Sequence, residues 1–338
     1  MVLLIKDGAD RAQLLQALKG LGLWTQTLKD GQSLPRAIRL KPDSQRVPVE
    51  ALEALDGVEA VLRTESPHPL LDAQARQSIA IVPGLRIGGD SEQVLATGPC
   101  AAESPAQIMA AAAMAVRAGA RLLRGGAYKP RTSPYTFLGQ GSEALGWLRE
   151  AADAHGLALV TEAMSEFEVP AVAEVADLIQ IGSRNMQNFA LLARVGQAKK
   201  PVLLKRGRAA SLKEWRLAAE HLLVAGATGV IFCERGILGS DPETRNCLDL
   251  AGATLLKHID GQPVMVDPSH ATGRRDLVLP LSAAALAAGV DGLLVECHPH
   301  AAEAKSDGPQ ALSPQEVGHL AQLMGRSPRA GTKSLRAV

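Results

Sequence analysis

Beyond residue 90 the chain alternates short apolar runs with longer stretches rich in Ala, Leu and Glu. Eight apolar runs recur: Val94–Cys100, Arg121–Gly125, Leu157–Met164, Leu178–Gly182, Val202–Arg206, Gly229–Arg235, Val264–His270 and Gly292–Cys297. Each is near-continuously hydrophobic, as a strand covered on both faces must be. Between them, Pro105–Ala118, Ser142–Ala154, Glu166–Ala176, Ser211–Ala225 and Leu281–Ala288 carry helical patterning. Strands alternating with helices predict βαβ units and a parallel sheet. Eight such units predict an α/β fold of the closed (β/α)8 TIM barrel type. A doubly wound open sheet is the alternative, but no Gly-x-Gly-x-x-Gly motif opens a first helix.

The N-terminal part follows another pattern. Val2–Ile5, Leu23–Lys29, Arg36–Leu40 and Val58–Arg63 read as strands, and Arg11–Leu18 and Val49–Leu55 as helices. The order β-α-β-β-α-β is that of a small ferredoxin-like or ACT-like α+β domain. Ser66–Ala75, broken by Pro67 and Pro69, reads as a linker. Ile79–Val82 and Leu85–Ile87 around Pro83-Gly84 predict a hairpin closing the barrel's bottom. The expected division is residues 1–70 for a ferredoxin-like regulatory domain, 71–90 for linker and hairpin, and 91–330 for the barrel. The basic tail after Ser327 reads as frayed.

Composition narrows the function classes. Of 338 residues 46% are hydrophobic, which permits a sizeable core, while aromatics are only 3%, too few for base-stacking recognition of nucleic acid. The net charge of +1 offers no global field for nucleic acid or membrane, so any anion site must be a local concentration of cations. Four cysteines in so long a chain are not a disulfide framework. No basic-then-apolar leader and no apolar run of spanning length is seen, so a cytoplasmic protein is expected.

The candidate chemistry lies at the strand ends, where α/β proteins place it. Arg124-Gly125-Gly126-Ala127-Tyr128-Lys129-Pro130-Arg131-Thr132-Ser133-Pro134 follows the second barrel strand and combines cations, hydroxyls, a glycine pair and prolines. That composition suits a rigid loop gripping anionic oxygens. Arg124, Lys129, Arg184, Lys205 and Arg235 stand at the ends of strands two, four, five and six. Five cations around one mouth repel one another unless anions bind there, and Arg can hold phosphate or carboxylate bidentately. Salt bridges to Glu162 or Glu234 are the competing use. Strands seven, eight and one end in His270, Glu296 with Asp307 in the loop beyond, and Cys100. Barrel closure makes strands eight and one neighbours, so a thiolate, an imidazole and two carboxylates could hold one divalent ion: Mn2+, Fe2+, Co2+ or Zn2+. Taken singly, a Cys such as Cys100 is more often a small buried hydrophobe, and His270 could simply cap a helix. Cys233, Cys247 and Cys297 read as structural, and strand alternation points Cys297 away from the pore.

At these residues the chain resembles the 3-deoxy-D-arabino-heptulosonate 7-phosphate (DAHP) synthases of the shikimate pathway, in particular the Iβ type with an N-terminal ferredoxin-like domain. The resemblance is carried by Gly98-Pro99-Cys100 with Glu103-Ser104, Lys129-Pro130-Arg131-Thr132, and Gly182-Ser183-Arg184-Asn185-Met186-Gln187-Asn188. It continues through Leu204-Lys205-Arg206-Gly207, Cys233-Glu234-Arg235-Gly236, Asp267-Pro268-Ser269-His270 and Ser306-Asp307-Gly308. It implies condensation of phosphoenolpyruvate with erythrose 4-phosphate. Phosphoenolpyruvate would lie on Arg124, Lys129, Arg184, Lys205 and Arg235. Erythrose 4-phosphate would lie on Lys129, Pro130, Arg131, Thr132 and Ser133, with Arg131 facing its phosphate. The ion would sit on Cys100, His270, Glu296 and Asp307 and polarise the aldehyde. Lys129 is the candidate proton donor to the developing alkoxide, and Glu162 or a water on the ion the candidate activator of the attacking water. The last loop departs from the family in His300-Ala301-Ala302-Glu303, where Pro-Glu is frequent, and Ala96-Thr97 before Gly98 is a milder change.

The nearest alternative is a 3-deoxy-D-manno-octulosonate 8-phosphate synthase using arabinose 5-phosphate. Those enzymes typically carry an Asn-Arg pair at Lys129–Thr132 and lack the small domain. A non-catalytic barrel sensing a phosphorylated ligand is a rival of another class. For the small domain, the resemblance implies feedback inhibition by tyrosine or phenylalanine, and a homo-oligomer, a tetramer, is expected. The other reading of that domain is an oligomerisation or lid element without a ligand.

Overall fold

In the computed structural model, which describes residues 1–6, 8–27, 37–41, 47–62, 66–129, 133 and 135–325, the chain divides into Met1–Pro67 and His68–Val338. The first unit runs β1 (Val2–Ile5), α1 (Arg11–Gly20), β2 (Thr25–Thr27), β3 (Ala37–Leu40), α2 (Val49–Glu53) and β4 (Val58–Leu62). Its sheet has the order β2-β3-β1-β4, and its paired strands are antiparallel, the ferredoxin-like arrangement. Asp10 starts α1 by accepting the N–H groups of Ala12 and Gln13. Leu14 and Leu18 then bury one helix face in a core with Leu3, Ile5, Leu52 and Val58. Leu28, Lys29, Arg36 and Arg63, at the ends of expected strands, lie outside the described residues.

The second unit opens with α3 (Pro69–Gln74), which corrects the reading of this stretch as a linker. Pro69 occupies the first turn, where a missing N–H costs nothing. The next two amides, of Leu70 and Leu71, donate to the two carboxylate oxygens of Glu220 at 3.0 and 2.8 Å. The Gln74 side chain exchanges hydrogen bonds with the backbone of Val230, which seats the helix on the barrel. A hairpin of β5 (Ser78–Val82) and β6 (Leu85–Gly88) follows.

The barrel comprises β7 (Val94–Gly98), α4 (Pro105–Arg117), β8 (Leu122–Arg124), α5 (Ser142–Ala154), β9 (Ala158–Glu162), α6 (Val169–Val175), β10 (Leu178–Ile181), α7 (Phe189–Gln197), β11 (Pro201–Lys205), α8 (Leu212–Val224), β12 (Gly229–Glu234), α9 (Leu250–Thr254), β13 (Val264–Val266), α10 (Pro268–Thr272), α11 (Arg275–Ala287), β14 (Gly292–Glu296) and α12 (Pro314–Leu323). All eight strands are parallel and the sheet is closed, with β14 beside β7 so that Glu296 faces Gly98. Side-chain alternation sorts the strands into two cores. Val94, Ala96, Leu122, Val160, Leu178 and Leu203 point into the barrel, where Ile79, Leu85 and Ile87 of the hairpin join them. Leu95, Leu123, Leu159, Ile179, Leu204 and Phe232 point outward onto the helices. Cys297 lies in this outer core, as alternation requires.

The helix starting at Arg275 begins well before the expected Leu281, because Pro280 interrupts the pattern without ending the helix. Val278, Ser282 and Ala285 form one buried stripe, and that packing outweighs the hydrogen bond that Pro280 removes. No described helix is long and apolar enough to cross a membrane.

Candidate active site and metal centre

Cys100, His270, Glu296 and Asp307 come together at the C-terminal ends of the strands. Each offers one donor atom, and these four atoms all lie within 4.8 Å of one another. Ligand bonds of about 2.0–2.3 Å to a shared ion span such separations, and thiol, imidazole and carboxylate suit a borderline divalent metal. The residues therefore fit one ion. Local structure explains how each arrives. Gly98 turns the chain toward Cys100 where a Cβ would meet the Arg124 carbonyl at 2.0 Å. His270 lies on α10, with its N–H on Asp267 Oδ1 and its Nδ1 at 2.7 Å from Asp267 Oδ2. Asp267 is held well below the usual carboxylate range: burial opposes this, but His270 and Lys205 outweigh it. An ionised Asp267 can only accept, so Nδ1 carries the proton and Nε2 presents its lone pair to the group. Burial pushes His270 itself down, toward the neutral imidazole that binds metals.

The other donors are equally constrained. Burial, with Glu296 next, pushes the Cys100 thiol up to about 12. The thiol donates to Asp307 Oδ2 at 3.1 Å and accepts from the Ser306 hydroxyl at 3.1 Å. Asp307 has φ 55°, a left-handed conformation that costs about 1–3 kcal/mol and needs its surroundings to hold it. Arg245 Nη2 donates to its Oδ1 at 3.1 Å. Against burial, His270, the Cys100 hydrogen bond and Arg245 hold this carboxyl far below its ordinary value. Glu296 Oε1 accepts from Arg124 Nη1 at 2.8 Å, and Oε2 accepts from Gln310.

A cavity of about 460 Å³ opens beside this group, and His270 and Asp307 line it too. All five expected cations, Arg124, Lys129, Arg184, Lys205 and Arg235, line it, as do Glu162 and Ser133. The competing salt bridges to Glu162 and Glu234 do not absorb these cations. Glu234 is taken by Arg206, which turns away from the cavity to Glu234 and Asp249. Glu162 Oε2 accepts instead from Gln180 at 2.9 Å. Arg124 pairs with Glu296 and Lys205 with Asp267. Lys129 Nζ donates to the Cys100 carbonyl at 2.9 Å. Burial works against its ammonium, but neighbouring Cys100, Glu162 and Glu296 raise its proton affinity on balance. Arg235 Nη1 and Arg124 Nε are buried without a hydrogen-bond partner among the described residues. On a cation-rich cavity, unsatisfied guanidinium donors leave hydrogen bonds for an anion to take.

The sequence profile of the DAHP synthetase I family matches residues 69–330. The chain belongs to the DAHP synthetase I family. Over 327 residues it is 40% identical to a phospho-2-dehydro-3-deoxyheptonate aldolase of Thermotoga maritima, covering 96% of both chains. The crystal structure of the DAHP synthase from that organism superposes with a TM-score of 0.74 at 40% identity, again over 96% of each. A truncated form of the Thermotoga maritima enzyme matches 77% of this chain with a TM-score of 0.71. A 2-dehydro-3-deoxyphosphooctonate aldolase of Chromobacterium violaceum is 31% identical over 54% of this chain and 68% of its own.

For this member of the DAHP synthetase I family, sequence reasoning missed four cavity residues: Thr136, Gln180, Arg208 and Arg245. Gln180 had a signal, a polar residue inside an apolar strand at an inward position, in register with Glu162. Arg208 and Arg245 lie in loops without periodicity. Pro130, Arg131 and Thr132 lie outside the described residues. Cys247, expected to be structural like Cys233 and Cys297, is exposed, because its loop pairs with Ile237 only through the backbone.

Proposed function

We propose that this chain is a metal-dependent 3-deoxy-7-phosphoheptulonate synthase that condenses phosphoenolpyruvate, erythrose 4-phosphate and water into DAHP and phosphate. The observation that carries the reading is one junction: His270 and Asp307 belong both to the four-donor group and to the cation-lined cavity. Identity over nearly the whole length supports the heptonate over the octonate reaction, since the octonate relatives match at lower identity over part of the chain.

In this reading Arg184, Lys205 and Arg235 take the phosphate of phosphoenolpyruvate, with the unpaired Nη1 of Arg235 finding its acceptor there. Arg124 and Lys129 orient the enol end toward the donor group. Ser133, with Pro130, Arg131 and Thr132, receives the sugar phosphate. Cys100, His270, Glu296 and Asp307 hold the ion, which when bound supplies Lewis-acid polarisation of an aldehyde oxygen. Carbon three of phosphoenolpyruvate forms the new bond to the aldehyde carbon. Lys129, kept protonated by its surroundings, donates a proton to the oxygen that becomes alkoxide. Glu162, oriented by Gln180, takes a proton from the water that adds to carbon two. Phosphate then departs with the bridging oxygen.

The small domain is assigned an effector role, with tyrosine or phenylalanine as ligand, in a cytoplasmic homotetramer; the ferredoxin-like sheet order supports the ACT-like fold that this role presupposes. The deciding experiment measures product formation by the purified chain with erythrose 4-phosphate against arabinose 5-phosphate, with and without chelator and each amino acid. Erythrose 4-phosphate is the expected acceptor. Preference for the pentose phosphate would establish the octonate reaction instead.

A further inference from the structure

Asp307 reaches the donor group from a long loop between β14 and α12, in a backbone conformation its own chain does not favour. Its position must therefore be imposed from outside. We propose that Glu103 is the positioning residue that fixes this loop, and with it the separation of Cys100 from Asp307. The proposal rests on the reading of Cys100, His270, Glu296 and Asp307 as metal ligands.

Glu103 stands at the junction of three strand-end loops. Its Oε1 accepts the backbone N–H of Lys305 at 2.8 Å, across 202 residues of sequence and two positions before Asp307. His298, at the start of the same loop, places Nε2 at 3.6 Å from that oxygen, longer than a hydrogen bond. The His298 ring is set by the N–H of His300, which donates to Nδ1 at 3.0 Å and so leaves the ring proton on Nε2, facing Glu103. Both side chains are buried, at 9% and 6% exposure. The Glu103 carbonyl accepts from Gln140 in the loop that carries Lys129. Lys305 also places its ammonium 5.3 Å from the Phe137 ring of that loop.

Glu103 is itself rigid. Its N–H donates to the Gln107 side chain, and the next residue, Ser104, caps α4. The carboxylate thus transmits the fixed geometry of the first strand's end to the loop after the eighth. Ser306, between Lys305 and Asp307, donates to Cys100 Sγ, so the tie and the ligand pair are contiguous. Without Glu103 the Lys305 amide loses its protein acceptor, and the segment leading to the left-handed Asp307 loses its tie to the end of the first strand. Outer partners of this kind are worth about 10–100-fold in metal affinity.

The test titrates the metal-free full-length chain with Co2+ and follows the near-ultraviolet thiolate-to-cobalt charge-transfer band. Thermal unfolding is recorded alongside. Glu103→Ala is expected to weaken Co2+ binding about 10–100-fold and to alter the band. Glu103→Gln, which keeps an oxygen for the Lys305 amide, is expected to bind close to wild type. Wild-type affinity and an unchanged band in Glu103→Ala would overturn the proposal. So would equal losses of affinity and thermal stability in both variants, which mark a structural role only. If the wild-type chain gives no thiolate band, or Cys100→Ser retains it, the ligand reading itself falls and takes this proposal with it.

Discussion

Cys100 Sγ and Asp307 Oδ2 stand 3.1 Å apart although 207 residues separate them in sequence. Closure of β14 onto β7 makes the contact, and the donor group exists only because the barrel is closed. Replacing Cys100 by Ser exchanges a soft thiolate for a weak hydroxyl donor in a buried four-donor set. Turnover is expected to fall at least about 100-fold, beyond the range set by outer-sphere partners. Chelation of the wild-type enzyme should abolish activity, and Mn2+ or Co2+ should restore it. Full turnover in chelated protein or in Cys100→Ser would remove metal from the mechanism.

Gly182 gives an independent probe of Glu162. A Cβ at residue 182 would lie 2.0 Å from Glu162 Oε1, so only glycine lets this carboxylate keep its place on the cavity wall. Gly182→Ala must displace it. General acid–base work contributes about 10²–10⁴-fold, so a drop of at least about tenfold in kcat is expected if Glu162 accepts the proton of water. Steady-state kinetics with a melting curve checks this. An unchanged kcat in a variant that melts normally would assign the proton transfer to another group.

How far the molecule could be read from its sequence follows from where side chains take their orders. The eight strands were legible because burial on both faces leaves long apolar runs, and their ends showed Arg124, Lys205, His270 and Glu296 directly. Closure then brought Cys100 to Asp307 as expected. The helix at Pro69 was hidden because its cap, Glu220, lies 149–150 residues away, and proline without that knowledge reads as a breaker. Arg208 and Arg245 were hidden for a similar reason. The Arg208 carbonyl is held by Leu238 and the Arg245 amide by Thr272, contacts between loops that leave no periodic trace. Adjacent Lys205 and Arg206 looked alike in sequence, yet one serves the cavity and the other ties Glu234 and Asp249.

Arg124 both lines the cavity and holds Glu296. Its Nη1 bridges Glu296 and the Pro99 carbonyl, each at 2.8 Å, and both partners of the ion pair are buried. Arg124→Met keeps much of the volume but leaves the Glu296 carboxylate with Gln310 as its side-chain donor. Breaking one side of a buried pair costs about 3–5 kcal/mol, and the low end is expected because the Gln310 hydrogen bond remains. Denaturant unfolding of the metal-free chain measures it. The KM for phosphoenolpyruvate should rise in the same variant. A stability equal to wild type would show that Glu296 does not depend on this arginine.

At the opposite end of the barrel, Asp291 sets a pH dependence of stability. Its carboxylate accepts the Val264 amide at 2.8 Å and Lys257 Nζ at 2.6 Å, while its backbone links β13 to β7 through Val264 and Val94. Burial raises its proton affinity above the ordinary value, and the hydrogen bonds and charge of Lys257 only partly offset this. A carboxyl that binds its proton more tightly in the folded state contributes fully below its unfolded value of about 3.9. That contribution falls as pH rises through the raised folded value. Asp291→Asn keeps an acceptor for the Val264 amide and removes the titration. The melting temperature of wild type should therefore exceed that of the variant most near pH 4, with the gap narrowing toward neutrality. A gap that widens with rising pH would mean that the Lys257 ion pair outweighs the burial of the charge.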